Sequence, residues 1–186
     1  FHQFRQVYEL RGTEYGLLPG PVADAIGEMV VAADNADIAD SRAVFTNAAE
    51  VSKRLMKYNG IKSTVLPPPL KRQERYHFAR QGDYLFYPSR ITSLKRQHLA
   101  VEAMQYVKSP VRLYIAGHCE SQEYISQIEL LIRKHDLDKK VIFRNEWISE
   151  DEKIELMARS LGVVYIPYKE DSYGFVTMEA FYSSKP

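Results

Sequence analysis

Val163-Val164-Tyr165-Ile166, then Asp171-Ser172-Tyr173-Gly174-Phe175-Val176-Thr177-Met178-Glu179-Ala180: an apolar strand, a turn built on glycine, and the opening of a helix. A helix N-terminus that follows the carboxyl end of a strand is where phosphates bind in open α/β sheets. Its unsatisfied amides and its dipole both favour an anion. Gly174 lets the backbone approach that anion closely. The amides of Gly174, Phe175, Val176 and Thr177 are the donors expected to meet it. Glu179 stands five residues past Gly174, about 7.5 Å along a helix. That spacing reaches from a diphosphate to a ribose, whose vicinal hydroxyls a carboxylate accepts well.

Upstream, strands and helices alternate. Tyr84-Leu85-Phe86-Tyr87 reads as a short buried strand, and His98 to Tyr106 as a helix. Val111 to Ala116 is a strand closed by Gly117, and Glu123 to His135 a helix with Ile125, Ile128, Leu131 and Ile132 on one face. Val141-Ile142-Phe143 is a strand. Ser149 caps the next helix, with Glu152 placed to complete a capping box. Leu161 to Ile166 is a strand, and Phe175 to Tyr182 a helix. This alternation implies an α/β fold, a Rossmann-like parallel sheet with flanking helices and right-handed crossovers. Before it come a helix over Pro21 to Ala36, a strand at Ala43 to Phe45, a helix over Ala48 to Tyr58 ended by Asn59-Gly60, and a strand over Ser63 to Leu66. Those one or two βα units are too few to close a sheet. Pro67-Pro68-Pro69 and the charged stretch Lys71 to Arg80 read as a connection. The expected organisation is a partial first domain over 1–70, a linker over 71–83 and a nucleotide-binding domain over 84–186.

Composition narrows the function classes. The formal net charge is +1, so there is no basic field for nucleic acid and no acidic tail. The single cysteine, Cys119, rules out an internal disulfide framework and points to a reducing, cytoplasmic setting. No apolar run approaches the roughly 20 residues of a membrane span, and no signal peptide is visible.

The carboxylate pair Asp171 and Glu179, with Tyr173-Gly174, Glu179-Ala180 and Ser184-Lys185-Pro186, resembles the signature of the glycogen-synthase-like retaining glycosyltransferases, the group 1 family with the GT-B fold. That signature is Glu, seven residues, Glu, commonly Glu-x-Phe-Gly-(four residues)-Glu-Ala, ending in Gly-Lys-Pro. Here Asp171 stands for the first Glu, with Glu170 beside it, and Ser184 for the late Gly. Pro88-Ser89-Arg90-Ile91-Thr92-Ser93-Leu94-Lys95 resembles the family's Gly-Arg-Leu-x-x-x-Lys turn. Val111 to Gly117 resembles its strand ending in Ala-Gly, after which the chain passes over the nucleotide. More loosely, Arg5 and Glu9 resemble an Arg-x-x-x-Asp element of the acceptor domain, but Phe1, not His2, stands where its leading His would be.

The resemblance implies a GT-B donor-binding domain preceded by the end of the acceptor domain. It implies that Arg90 and Lys95 hold the donor diphosphate, Glu179 the ribose, and Asp171 or Glu170 the sugar hydroxyls. The donor is a nucleotide diphosphate-sugar. A hexose passes with retention to a glycan or lipid-linked acceptor in surface polysaccharide or glycoconjugate synthesis, at the inner membrane face. No metal and no separate cofactor are expected, because fixed cations neutralise the leaving diphosphate.

Other readings of the same residues stand beside these. Asp171 and Glu179 could be a turn former and a surface carboxylate, and Arg90 and Lys95 ordinary loop cations. Asp136-Leu137-Asp138 mimics an Asp-x-Asp metal pair but falls after a helix and before a strand, so a turn is expected. His118-Cys119 has no partners spaced for a metal. Trp147 is either a wall of the base pocket or, preferably, a half-buried packing residue. At the level of function the alternatives are a nucleotide-sugar epimerase or phosphorylase of the same architecture and a non-catalytic nucleotide-sugar-binding module. The start at Phe1 and the end at Pro186 in mid-pattern suggest a piece of a longer protein, inactive by itself and prone to oligomerise.

Overall fold

A computed structural model describes residues 20–119, 121–168 and 173–186. They form two compact units, residues 20–69 with 173, and residues 70–168 with 174–186.

In the first unit, Pro21 at the first helical position opens α1, Pro21–Ala39. Strand β1, Phe45–Thr46, pairs in parallel with β2, Thr64–Val65, across helix α2, Ala49–Asn59. The bonds from Thr64 N–H to Val44 O and from Leu66 N–H to Thr46 O extend that pairing. This is a single βαβ turn, as the sequence pattern suggested.

The second unit holds a four-stranded parallel sheet. Its strands are β3, Tyr84–Pro88; β4, Arg112–Gly117; β5, Val141–Asn145; and β6, Gly162–Val163. Their spatial order is β5-β4-β3-β6, all parallel. The chain starts at β3 and steps outward through β4 to β5. It then crosses back to lay β6 on the other side of β3. Helices α3, Gln97–Ala103, and α4, Gln122–Lys134, pack on one face with Tyr87, Leu113 and Ile115. Helices α5, Glu150–Arg159, and α6, Phe175–Tyr182, pack on the other with Tyr84, Phe86 and Ala116. With both faces covered, β3 and β4 are apolar almost throughout, as buried parallel strands must be. Each large side chain in this core contributes about 1.5–3 kcal/mol by leaving water.

Two elements differ from expectation. The strand expected over Leu161 to Ile166 shortens to Gly162–Val163. Beyond Val164, whose amide still donates to Phe86 O at 2.8 Å, the chain finds other partners. Ile166 N–H donates to the Tyr87 hydroxyl at 3.4 Å, and Ile166 O accepts from Arg96 Nε at 2.9 Å. Ser149 does cap α5, accepting from Glu152 N–H at 3.1 Å. The Glu152 carboxylate, however, pairs with Arg144 instead of closing a capping box. A full positive charge one strand away outcompetes a neutral amide.

The stretch Lys71 to Arg80 lies along α5. Tyr76 is buried against Tyr84 and Phe86, Arg75 pairs with Asp151, and His77 Nε2 lies 3.3 Å from Glu155. Asp136 adopts φ 52° and Leu137 is buried, so Asp136-Leu137-Asp138 is the turn expected. Among the described residues no helix is long and apolar enough to cross a membrane.

After α6 the backbone turns through Ser184 at φ 52°, a left-handed conformation. That explains why the resembling signature carries glycine there: an L side chain in this region costs roughly 1–2 kcal/mol. Ser184 is exposed, so its side chain returns little packing. Ser184→Gly is expected to raise stability by roughly 0.5–1 kcal/mol, after the larger chain entropy of glycine is set against the relieved strain. A urea titration that shows no gain would contradict this account of the turn.

Candidate functional site

In a sheet of order β5-β4-β3-β6, connections leave β3 toward one side and arrive at β6 on the other. The crevice beyond their carboxyl ends is therefore the topological switch point where α/β sheets bind ligands. The residues singled out from sequence lead into this crevice. Arg90 and Lys95 follow β3, and Gly174 follows β6.

The exit of β3 is held tightly. Ser89 N–H donates to Ala116 O at 3.3 Å and Ile91 N–H to His118 O at 3.0 Å, so the loop continues along the end of β4. Gly117 is required there by space: a Cβ on it would lie 1.8 Å from Ser89 O. Gln97, fully buried, gives its side-chain amide N–H groups to the same turn. Its Nε2 donates to Ser89 Oγ and to Arg90 O, each at 2.9 Å, and its Oε1 accepts from the Tyr124 hydroxyl at 3.4 Å. Arg90 projects from this braced turn and is exposed.

Lys95 closes the 3-10 turn Ser93–Lys95 and is 7% exposed. Its Nζ donates to the Tyr165 hydroxyl at 3.0 Å, and its carbonyl accepts from the buried Tyr87 hydroxyl. Tyr168 N–H donates to Leu94 O at 2.8 Å. These bonds join the exit of β3 to the exit of β6.

Gly174 caps α6 at φ 70°, ψ 57°, a left-handed conformation that glycine enters freely. A Cβ on Gly174 would touch Tyr165 Cε1 at 3.8 Å. The Tyr165 ring thus stands between the Lys95 ammonium and the start of α6. Of the amides expected at an anion, that of Thr177 is used inside the helix, donating to Gly174 O at 2.9 Å. Phe175 and Val176 occupy the first turn with it.

Glu179 is buried on α6, at 7% exposure. Its Oε1 accepts from Lys153 Nζ at 2.7 Å, while its Oε2 is buried with no hydrogen-bond partner among the described residues. Lys153 also lies 3.0 Å from Glu150 Oε1, which accepts from the Tyr76 hydroxyl at 2.8 Å. Burial first, then the bond to Glu150 and the charge of Glu179, push the Tyr76 phenol above its ordinary range. For Glu150, burial alone would raise the carboxyl. The bonds from Tyr76 and Lys153 outweigh it and hold the group below its ordinary 4.5.

Trp147, preferred from sequence as a half-buried packing residue, is 71% exposed. It follows β5 and stacks on His118, ring centroids 5.6 Å apart at 25°. Among the described residues, β5 is the edge strand of the sheet. Asp171 and Glu170, with Arg5 and Glu9, lie outside the described residues. Among the described residues no cluster of His, Cys, Asp and Glu could hold a metal ion. Sequence reasoning missed Gln97, Tyr165 and Lys153. Each is a common residue type, and its role exists only through a partner outside its own element, 7 to 70 residues away.

The model of the family described as Glycosyl transferases group 1 matches residues 71–186. No curated protein matches the chain. Among solved structures, HepE of Anabaena in complex with UDP and glucose has a TM-score of 0.74 at 18% identity. That match covers 86% of this chain and 46% of HepE. Sucrose-phosphate synthase from Thermosynechococcus elongatus has a TM-score of 0.79 at 16% identity, over 100% of this chain and 48% of that one. A glycosyltransferase from Rickettsia africae gives 0.69 at 18%, over 92% and 48%. The chain thus spans about half the length of the structures it matches, and these likenesses establish the fold.

Two outcomes follow from the site's construction. Gly117→Ala should force Ser89 O away and lower stability by roughly 1–3 kcal/mol, the scale of overpacking; an unchanged urea midpoint would show the two loops to be less tightly joined. Glu150 supplies stability that is complete above pH 4.5 and is lost as pH falls through its lower folded value. Its side chain is 54% exposed, so Glu150→Gln should cost under about 1 kcal/mol at neutral pH. The difference between the two proteins should shrink in acid, and a gap that widened there would reverse the assignment.

Proposed function

The chain belongs to the group 1 glycosyl transferases, and from that premise we propose that it binds a nucleotide diphosphate-sugar across the crevice beyond β3 and β6 and serves hexosyl transfer with retention. The observation that carries this reading is the meeting of Lys95 and Gly174 about the Tyr165 ring. A fixed ammonium and a helix N-terminus converge where a diphosphate would lie. Arg90, on the turn braced by Gln97, supplies the second cation.

In the transfer, the bond between the sugar's anomeric carbon and the diphosphate oxygen breaks, and negative charge collects on the departing diphosphate. Arg90, Lys95 and the amides at the start of α6 stabilise that charge where it develops. The acceptor hydroxyl forms the new bond on the same face, and its proton passes to an oxygen of the leaving diphosphate. Glu179 accepts from the ribose hydroxyls, and Asp171 or Glu170 orients the sugar. The cations take the place of a metal, and no cofactor other than the donor is required. A glycan or lipid-linked glycan at the inner face of a membrane suits the acceptor role, in polysaccharide or glycoconjugate synthesis.

Calorimetric titration with UDP, GDP and their sugars tests the donor site. Arg90→Ala should weaken the nucleotide that binds by roughly 1.5–3 kcal/mol, the scale of a charge-assisted contact. Unchanged affinity in a folded variant would remove Arg90 from the site. EDTA should leave the affinity intact, and its loss with EDTA and return with manganese would overturn the metal-independent reading.

A further inference from the structure

Glu179 is an unusual carboxylate for the interior. Its side chain is 9% exposed; Oε1 accepts from the Lys153 ammonium at 2.7 Å, and the Tyr76 hydroxyl lies near enough to feel the carboxylate. Oε2 is buried without a hydrogen-bond partner among the described residues. A buried ion pair is weak as a device for stability, because desolvating two charges offsets most of their attraction. An ion pair with half of its carboxylate left unsatisfied is weaker still. Such a pair fits a group held ready for donors that arrive with a ligand.

Lys153 is suited to the holding. It projects from the first turn of α5, and its side chain is 19% exposed. A second carboxylate, Glu150, lies 3.0 Å from the same ammonium and is itself fixed by the Tyr76 hydroxyl at 2.8 Å. The chain Tyr76–Glu150–Lys153–Glu179 therefore runs from the half-exposed Glu150 to the buried Glu179 and leaves the ammonium little freedom. Anchored through one oxygen and enclosed by its surroundings, the carboxylate has little room to turn, which restrains the position of its other oxygen.

Resting on the reading of Glu179 as the ribose acceptor, we propose that Lys153 is a positioning residue: it locks the Glu179 carboxylate through Oε1 so that Oε2 is presented to the vicinal hydroxyls of the donor's ribose. Lys153 acts through Glu179 and touches no substrate itself. Its contribution is to selectivity for ribose over sugars that lack those hydroxyls.

The test is calorimetry on the full chain with UDP and GDP and with the 2′,3′-dideoxy form of each. The wild type should prefer the ribo form by roughly tenfold or more, the scale of hydrogen bonds to a charged group. In Lys153→Ala, where water can enter the vacated space, that ratio should fall to within about twofold of unity while affinity for the dideoxy form stays within about twofold. Lys153→Arg should restore the ratio. A merely structural role would weaken both forms alike, and that result overturns the proposal, as does an unchanged ratio. Should the alanine variant not fold, Lys153→Met, which keeps the bulk but no donor, is measured in its place, and an unchanged ratio again overturns it. A wild type that binds the diphosphate but shows no ribose preference sinks the Glu179 assignment and this inference together. A wild type that binds neither nucleotide instead sinks the donor-site reading.

Discussion

The hydroxyl of Tyr87 is the point on which the candidate site hangs. Tyr87 sits at the end of β3 and is wholly buried, so its phenolic group must find partners inside the protein. It donates to the carbonyl of Lys95 and accepts from the amide of Ile166. One side chain thus ties the strand, the turn that bears Lys95 and the segment leaving β6. β6 consequently stops pairing as a strand after Val164 and turns across the carboxyl end of the sheet. The bonds from Arg96 to Ile166 O and from Tyr168 N–H to Leu94 O then reinforce a path that Tyr87 sets.

A second constraint acts on the neighbouring strand. Ser89 and the end of β4 approach so closely that only glycine fits at position 117. Gln97 locks the same turn from the helix side. The result is a cation-bearing loop whose backbone is braced on two sides while Arg90 remains exposed. Rigid backbone beneath a charged side chain is the arrangement in which electrostatic stabilisation costs least reorganisation. On the far side of the sheet, charge is handled differently. Glu150, Lys153 and Glu179 share two bridges around one ammonium, and the helix α5 that carries two of them is capped by Ser149.

Much of this was legible beforehand. The alternation of apolar strands with capped helices announced a parallel sheet, because strands covered on both faces must be apolar throughout. The pairing of Arg90 and Lys95 with Gly174 and Glu179 carried the resemblance to the group 1 glycosyl transferases, and the family model matches residues 71–186. Ser184 shows how a departure from a pattern can be read in reverse. Glycine is usual where the backbone turns left-handed, and the serine here accepts that turn with strain. Trp147 was misjudged because an aromatic after a strand is usually covered, whereas β5 is the edge of this sheet among the described residues.

The sequence by itself determined the local properties: which stretches are strands, which are helices, where caps and glycine turns fall, and which side chains can carry charge at each strand's carboxyl end. These follow from spacing and residue type within a few turns of chain, and local physics is enough to decide them. Tertiary structure alone decided that the chain crosses back to place β6 beside β3. Only that crossing brings Tyr165 between Lys95 and Gly174, and Lys153 onto Glu179. Those contacts join residues 26 and 70 positions apart. No periodicity encodes them, because they arise from the order of the strands and from the need of each buried charge and hydroxyl to find a partner.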